Sequence, residues 1–222
     1  MKTELSTRIQ HTLLKITATA NDIQALCREC REHRFQAACI QPMWVDLAVK
    51  ELAGSGVAVC AVADFPHGAC TTAVKAREVQ DLVARGAAEI DVVCKIGYLR
   101  SGMFTEFRDD LAAVVKAAAG KVTKVILETS ILTPEELARA IDLAVEARMD
   151  YIKTASGFNG PGATVEIIRE MHRLAKGRVK IKAAGGIRTR EDAAAMIAAG
   201  ADCLGTSSGI AIVTGAESKA QY

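Results

Sequence analysis

Residues 133–157 read TPEELARAIDLAVEARMDYIKTASG and contain one complete helix-to-strand unit. Thr133 and Glu136 have the spacing of a capping box, and a proline occupies the first helical position. Apolar residues then recur at helical spacing as far as Arg148. The apolar run that follows, Tyr151–Ala155, has the length of a buried strand. The stretch therefore predicts a helix that returns the chain to a parallel strand.

The same alternation occurs eight times along the chain. The predicted strands are Ile9–Leu14, Gln36–Ile40, Val57–Ala63, Glu89–Cys94, Lys124–Glu128, Tyr151–Ala155, Lys180–Ala184 and Asp202–Gly205. Parallel strands need crossover helices, so the alternation indicates an α/β protein. Eight units are enough to close a (β/α)₈ TIM barrel, whereas a doubly wound sheet usually needs fewer. No linker-like segment interrupts the pattern, and we expect a single domain over residues 1–222.

Composition and charge exclude several classes of protein. Half of the residues are hydrophobic but only 4% are aromatic, so small aliphatic side chains must form the core. The net charge is +2 with both signs interspersed, unlike the basic stripe of a nucleic-acid binder. No apolar run reaches the ~18 residues that span a bilayer, and the N-terminal residues lack a secretory signal. We expect a cytoplasmic protein without nucleic-acid or membrane partners.

Cysteine and histidine spacing gives no sign of a metal site. The seven cysteines are scattered, which favours reduced thiols over a disulfide framework. Cys27 and Cys30 have the spacing of a redox or zinc pair, but they lie in a helical pattern and no second pair of ligands follows. The four histidines show no ligand spacing, and His67 is expected at the rim of the site. We therefore predict no bound metal.

Two lysines lie within neighbouring predicted strands. Lys153 is in the sixth strand, and Lys182 is near the end of the seventh. Strands in a sheet are ~4.8 Å apart, so inward-pointing side chains would bring the two ammonium groups together. Like charge and desolvation would lower a lysine pKa and leave a neutral amine able to attack a carbonyl. The alternative is that either lysine points outward at a strand end.

Two acidic residues occupy comparable positions. Asp91 lies inside the apolar fourth strand, where its carboxylate needs a partner. Facing the two lysines, it would act as an ion-pair anchor or as a proton shuttle. Glu128, near the end of the fifth predicted strand, is a second candidate of this kind or a purely structural residue.

Glycine-rich loops follow the seventh and eighth predicted strands. One contains Gly185 and Gly186, and the other contains Ser207 and Ser208. Backbone amides in such loops can hold a phosphate, and barrels often place a phosphate site at these two loops. Ordinary turns would use the same residue types.

Seven short stretches, in order and at barrel spacing, resemble the deoxyribose-phosphate aldolase family. They are His11–Lys15, Phe65–Gly68, Glu89–Val93, Lys124–Thr129, Lys153–Gly157, Lys182–Arg188 and Gly205–Ser208. The resemblance implies a class I lyase of deoxyribose phosphate catabolism. Such an enzyme reversibly cleaves 2-deoxy-D-ribose 5-phosphate to acetaldehyde and D-glyceraldehyde 3-phosphate, with these small molecules as partners. It implies no metal or organic cofactor, and a monomer or homodimer.

The resemblance also implies roles for individual residues. Lys153 would form the Schiff base, and Lys182 would lower its pKa and help to move protons. Asp91 would be the acid/base carboxylate and would act through a water. The phosphate would be bound by Gly157, Gly185, Gly186, Ser207 and Ser208.

Three positions depart from the family pattern. Gln10 stands where the family usually has Asp, which removes a carboxylate that would balance the lysines. Gln41 stands where Asn is common, and Lys95 where related short sequences have Asn. We hypothesise that Lys95 contacts an anionic or more polar substrate. The terminal Tyr222 would either fold over the mouth and assist proton transfer or belong to a frayed end.

Two other functions remain open from the sequence. One is a lyase or Schiff-base aldolase acting on another phosphorylated sugar. The other is a catalytically weak barrel that binds a sugar phosphate, since Gln10 and Lys95 alter the charge near the same mouth. Turnover of deoxyribose 5-phosphate would distinguish them.

Overall fold

The computed structural model describes residues 5–216. Eight parallel strands close into a barrel in chain order, which confirms the predicted (β/α)₈ TIM-barrel class. The strands are β1 (Ile9–Leu13), β2 (Ala37–Ile40), β3 (Ala58–Ala63), β4 (Glu89–Val93), β5 (Val122–Ile126), β6 (Tyr151–Lys153), β7 (Lys180–Ala184) and β8 (Cys203–Thr206).

Helices follow the strands and form the outer layer. They are α1 (Ala20–His33), α2 (Val45–Leu52), α3 (Thr72–Ala84), α4 (Ile96–Arg100), α5 (Phe104–Ala117), α6 (Pro134–Glu146), α7 (Val165–Ala175), α8 (Arg190–Ala198) and α9 (Gly209–Thr214). Short 3₁₀ turns lie at Pro42–Trp44 and Thr129–Ile131. Within residues 5–216, no helix is both long and apolar enough to cross a membrane.

Threonine caps begin several of these helices. Thr133 accepts a hydrogen bond from the Glu136 amide, and the Glu136 side chain bonds back to the Thr133 amide. This confirms the predicted capping box of α6. Thr19 and Thr189 form complete boxes of the same kind at α1 and α8. Each cap satisfies amides that the first helical turn leaves unpaired.

The fifth strand differs from its predicted position. It was expected at Lys124–Glu128 but runs from Val122 to Ile126. The strand ends early because Glu128 adopts a left-handed conformation, with φ 54° and ψ 56°, and starts the following 3₁₀ turn. At the other end, Val122 pairs with Glu89 and extends the strand. The shift leaves Lys124 in the middle of the strand instead of at its edge.

The barrel separates two kinds of interior. Between strands and helices lies an aliphatic core, in which Cys27 and Cys30 are fully buried. Burial raises the pKa of the Cys27 thiol to about 11, so the expectation of a core cysteine is confirmed. Inside the barrel, a small apolar cluster that includes Cys39 and Cys60 occupies the β1–β3 side. Strands β4 to β7 point charged side chains towards the barrel axis, and these build the site.

Candidate active site

Lys153 and Lys182 lie side by side inside the barrel. They are register partners on β6 and β7. The Thr154 hydroxyl fastens the ends of these strands, since it donates to the Ala184 carbonyl at 2.9 Å and accepts from the Ala184 amide at 3.0 Å. The predicted meeting of the two lysines is therefore observed, and neither points outward.

Asp91 is the point at which the lysines meet. Its Oδ2 lies 2.8 Å from Lys153 Nζ and 2.6 Å from Lys182 Nζ. Asp91 itself has no exposed surface. The structure thus brings together the three residues that the sequence singled out for chemistry. It also shows that one carboxylate oxygen serves both lysines.

Sequence reasoning missed a third lysine and a second carboxylate. Lys124 Nζ lies 3.0 Å from Asp91 Oδ1 and 2.5 Å from Glu89 Oε2. A signal was present, because Glu89 precedes Asp91 by two residues and so shares its face of the strand. Lys124 is the register partner of Asp91 on β5. Its inward direction could not be read from the sequence while the start of that strand was misplaced.

Gln10 links the two ends of this network. Its amide nitrogen donates to Glu89 Oε2 at 2.7 Å, and its side-chain carbonyl accepts a hydrogen bond from Lys182. We call Gln10, Glu89, Asp91, Lys124, Lys153 and Lys182 the barrel cluster. It holds three lysines against two carboxylates. A glutamine in place of an acid therefore leaves the barrel cluster with one excess positive charge.

The electrostatics keep the charged forms of the inner groups. Burial alone would raise the pKa of Asp91, but the ammonium groups of Lys124, Lys153 and Lys182 hold it well below its ordinary value. For Lys182, burial lowers the pKa, yet the attractions of Asp91, Cys39 and Cys60 together outweigh it and the net direction is upward. The pKa of Lys124 is raised well above its ordinary value in the same way. The expectation that desolvation and like charge would dominate is therefore wrong for Lys182.

Exposure and hydrogen bonding distinguish Lys153 from its neighbours. Lys124 and Lys182 have no exposed surface, and each binds two side-chain oxygen acceptors. Lys153 retains 3% exposure and contacts one carboxylate. It also lies at the C-terminal end of β6, the end at which TIM barrels carry their active sites. Of the three, Lys153 is the one that a small molecule can reach.

Glycine is needed opposite Lys182. A Cβ on Gly205 of β8 would lie 2.9 Å from Lys182 Cε. Real Cβ atoms do not approach that closely, so the missing side chain makes room for the lysine stem. Gly205 thereby fixes the path of Lys182 towards Asp91.

Glu128 holds the loop that follows Lys153. Its Oε1 accepts hydrogen bonds from the Ser156 amide at 3.0 Å and from Asn159 Nδ2 at 3.3 Å. Asn159 Nδ2 also donates to the Pro66 carbonyl at 3.0 Å, which connects the loops after β3 and β6. Of the two readings of Glu128, these contacts favour the structural one.

Part of the predicted phosphate group lies around one cavity. Gly157 and Ser207 line a space of about 510 Å³ at the end of β1. Lys15 is the one charged residue in its described lining, and sequence reasoning did not assign it a role. Its place in the loop after β1, inside one of the family-like stretches, was the available signal.

The remaining predicted phosphate residues lie on the loops after β7 and β8. Gly185 is buried against Gly162, where a Cβ on Gly162 would come within 2.2 Å of the Gly185 backbone. Gly186 is exposed and has φ 79°. The Ser208 amide donates to the Thr206 hydroxyl at 2.9 Å, and Thr206 in turn donates to the Ile187 carbonyl. These bonds hold the two loops together.

Comparisons with known proteins agree with this geometry. Residues 7–215 match the model of the DeoC/LacD family aldolases. The chain belongs to the DeoC/LacD aldolase family. It is 50% identical over 209 residues to the deoxyribose-phosphate aldolase of Brevibacillus brevis, covering 94% of this chain and 95% of that protein. It is 47% identical to the enzyme of the same name from Carboxydothermus hydrogenoformans, covering 99% and 98%. The resemblance seen in the sequence is thus confirmed.

A solved structure of similar sequence supports the same assignment. The tetrameric deoxyribose phosphate aldolase of Aeropyrum pernix superposes with a TM-score of 0.91 at 32% identity. The superposition covers 96% of this chain and 91% of that one. The barrel and its inward-facing strands therefore belong to a fold that aldolases use.

Lys95 departs from the family pattern in a way that the structure explains. Its Nζ lies 3.2 Å from Asp110 Oδ1 and 3.1 Å from the Thr72 hydroxyl, between β4 and helices α3 and α5. Lys75 also binds Asp110, at 2.6 Å, and lies 3.1 Å from Asp64. We call Asp64, Lys75, Lys95 and Asp110 the outer cluster. The hypothesis that Lys95 contacts substrate has no support in these contacts, because its ammonium turns to the outer cluster.

Other predicted features near the mouth have defined positions. Gln41 donates to the Leu14 carbonyl at 3.1 Å and so ties the loop after β2 to that after β1. His67 lines a separate cavity of about 340 Å³ with Lys95 and Tyr98. Tyr222 lies outside the described residues.

Proposed function

We propose that this member of the DeoC/LacD aldolases cleaves 2-deoxy-D-ribose 5-phosphate reversibly to acetaldehyde and D-glyceraldehyde 3-phosphate. One observation carries the proposal. Lys153, the one reachable lysine of the barrel cluster, shares a single Asp91 oxygen with Lys182. The amine of Lys153 thus lies beside a carboxylate that holds it by a hydrogen bond and a second ammonium that stays charged.

The reaction begins at the C1 aldehyde of the open-chain sugar. Lys153 Nζ, after losing a proton to water, attacks C1 and forms a carbinolamine. Loss of water then gives an iminium ion. The positive nitrogen draws electrons as the C2–C3 bond breaks, and the proton of the C3 hydroxyl leaves to a base. D-Glyceraldehyde 3-phosphate departs, and an enamine remains on Lys153.

The second half of the reaction restores the lysine. A proton adds to C2 of the enamine and regenerates the iminium ion. Water adds to C1, and acetaldehyde leaves. Asp91 is placed to move these protons, directly or through a water, because it touches Lys153 Nζ. Lys182, with its raised pKa, supplies a fixed positive charge beside the oxygen that Lys153 uses.

The phosphate end of the substrate is assigned to the loops after β1, β6, β7 and β8. The cavity lined by Gly157, Ser207 and Lys15 has space for a phosphate, and the ammonium of Lys15 would attract it. Gly185, Gly186 and Ser208 complete the proposed group by their resemblance to the family's phosphate-binding residues. These assignments remain predictions.

Borohydride trapping tests the imine directly. The protein is incubated with acetaldehyde, reduced with borohydride, digested and mapped by mass spectrometry. We expect the added two-carbon group on Lys153, with Lys124 and Lys182 of the same sample as internal controls. A label on either of those residues would mean that it, and not Lys153, is the nucleophile. No label in a folded sample would overturn the aldolase mechanism.

Turnover tests the substrate separately. Release of acetaldehyde from deoxyribose 5-phosphate and from unphosphorylated deoxyribose is compared with an alcohol-dehydrogenase-coupled assay. We expect a much lower KM for the phosphorylated sugar. An imine on Lys153 without cleavage of deoxyribose 5-phosphate would mean that another phosphorylated sugar is the substrate or that the barrel only binds one.

Further expectations concern the setting of the protein. The reaction needs small-molecule partners only, and we propose a cytoplasmic protein whose single domain spans residues 1–222. Homodimer formation stays a prediction that light scattering would test.

A further inference from the structure

Cys39 and Cys60 form a pair inside the barrel. They are register partners on the neighbouring strands β2 and β3. Both side chains are fully buried in the small apolar cluster within the barrel. Backbones of neighbouring strands are ~4.8 Å apart, which falls within the Cα separations that a disulfide allows. Neither thiol has a role in the proposed reaction.

The pair also touches the barrel cluster. The Cys60 thiol donates to Asp91 Oδ1 at 3.2 Å, and Lys124 Nζ lies 3.5 Å from Cys60 Sγ. The two sulfur atoms and one Asp91 oxygen all lie within 4.8 Å of one another. A chemical change at the two sulfurs would therefore alter the surroundings of Asp91 Oδ1, while Asp91 Oδ2 binds Lys153.

The two thiols have opposite tendencies to ionise. Its close contact with Cys60 lowers the pKa of Cys39 to about 6, against the effect of burial and with help from the Lys182 ammonium. Burial, the contact with Cys39 and the negative charge of Asp91 raise the pKa of Cys60. Cys39 is therefore the sulfur that ionises more readily and Cys60 the one that keeps its proton, which is the arrangement of a reactive cysteine next to a resolving one.

A metal ion fits this group of three less well than oxidation does. Both oxygens of Asp91 are already engaged by ammonium groups, from Lys124 on one side and from Lys153 and Lys182 on the other. A divalent cation would have to enter next to three positive charges. The same charges stabilise a thiolate and so favour its reaction with a neutral oxidant.

We propose that Cys39 and Cys60 form a reversible dithiol–disulfide pair inside the barrel, oxidised by small hydroperoxides, and that oxidation slows the reaction at Lys153. The Cys39 thiolate attacks one oxygen of the peroxide and the O–O bond breaks. Hydroxide leaves, and Cys39 becomes a sulfenic acid. The Cys60 sulfur then attacks the Cys39 sulfur, the S–O bond breaks, and water carries away the Cys60 proton. Two thiols and one hydrogen peroxide thus give one disulfide and two waters, and an external dithiol reverses the change.

Oxidation alters the site in two ways. It removes the Cys60 hydrogen bond to Asp91 and the negative charge of Cys39 near Lys182. Hydrogen peroxide is smaller than acetaldehyde, so a path by which the proposed substrate reaches Lys153 brings the oxidant as far as Asp91, which contacts both Lys153 and Cys60. The loss of activity rests on the proposed function, whereas formation of the disulfide does not.

The test uses the full chain carrying Cys70→Ser, which removes the exposed thiol and prevents links between molecules. The protein is treated with hydrogen peroxide, alkylated, digested without reductant and mapped. We expect a linked pair of peptides containing Cys39 and Cys60. We also expect about a tenfold loss of acetaldehyde release, from a lost hydrogen bond to a charged group, that dithiothreitol restores.

Cys39→Ser is the matched control, since it removes the thiol that attacks the peroxide and leaves the Cys60 hydrogen bond to Asp91 in place. Its activity should not show the dithiothreitol-reversible loss. A linked pair with unchanged wild-type activity would overturn the effect on Lys153. The peroxide dose is one that modifies Cys70 in the parent chain. If Cys39 and Cys60 do not link at that dose, the proposal that they form a disulfide is overturned. The peptide map detects the disulfide without a turnover assay, so this result does not depend on which substrate the chain cleaves.

Discussion

The barrel cluster and the outer cluster both bury lysines, but they differ in their balance of charge. In the outer cluster, two lysines face two carboxylates, and Lys75 is fully buried against Asp64, Asp110 and the Val93 carbonyl. In the barrel cluster, three lysines share two carboxylates, and Lys153 retains a small exposed surface. Burial alone therefore does not mark a reactive lysine. An excess of ammonium groups over carboxylates sets the barrel cluster apart from the outer cluster.

Replacing one lysine from each cluster separates the two roles, and Lys153→Met should have the largest effect. Without the nucleophile, we expect cleavage of deoxyribose 5-phosphate to fall by roughly 10⁴-fold or more. Acetaldehyde release and borohydride trapping measure the loss, and circular dichroism checks that the barrel persists. Activity within tenfold of wild type would assign the chemistry to another residue.

Lys75→Met should instead act on stability. The change leaves Asp64 and Asp110 with less compensation in the interior, so we expect the free energy of unfolding to fall by about 3–5 kcal/mol. Urea denaturation measures this value. Acetaldehyde should still be trapped on Lys153 in the folded fraction. Loss of trapping at full stability would mean that the outer cluster takes part in the chemistry.

Acid should weaken the barrel cluster through Asp91. Its pKa is lowered in the folded state, so the stabilisation is present above the unfolded value near 3.9 and is lost as the pH falls below it. One extra proton taken up on unfolding corresponds to about 1.4 kcal/mol per pH unit. Urea denaturation between pH 5 and pH 3 should therefore show a steeper loss for wild type than for Asp91→Asn. Equal slopes would mean that Asp91 does not take up a proton on unfolding.

Lys95→Asn should have the smallest effect. Asp110 keeps its bonds to Lys75 and Thr72, so we expect a loss of about 1 kcal/mol in stability. Because Lys95 faces the outer cluster, kcat/KM should stay within about twofold. A larger change in kcat/KM, specific to the phosphorylated sugar, would restore the hypothesis that Lys95 contacts substrate.

The sequence predicted the barrel better than it predicted the charge balance inside it. Strand periodicity allowed Asp91, Lys153 and Lys182 to meet on inward faces, and the structure brings them together there. It missed Lys124, because a left-handed residue at Glu128 shortens β5 and moves the strand towards its N-terminus. The partner of Lys95 was also out of reach, since Asp110 lies on a helix whose packing depends on the whole fold. The stagger between strands decides which charges meet, and sequence spacing does not encode it.

Strand β4 connects the two clusters. Asp91 points from it into the barrel, and two residues later the Val93 carbonyl binds Lys75 on the outer side. A designer who reshapes the loops for a new aldehyde can treat this strand as fixed scaffolding. Substitutions beneath α3 and α5 then become a way to tune heat tolerance. Selection for new substrates acts instead on the loops that follow the strands. The two searches can run in parallel libraries, provided that neither alters the five residues of β4.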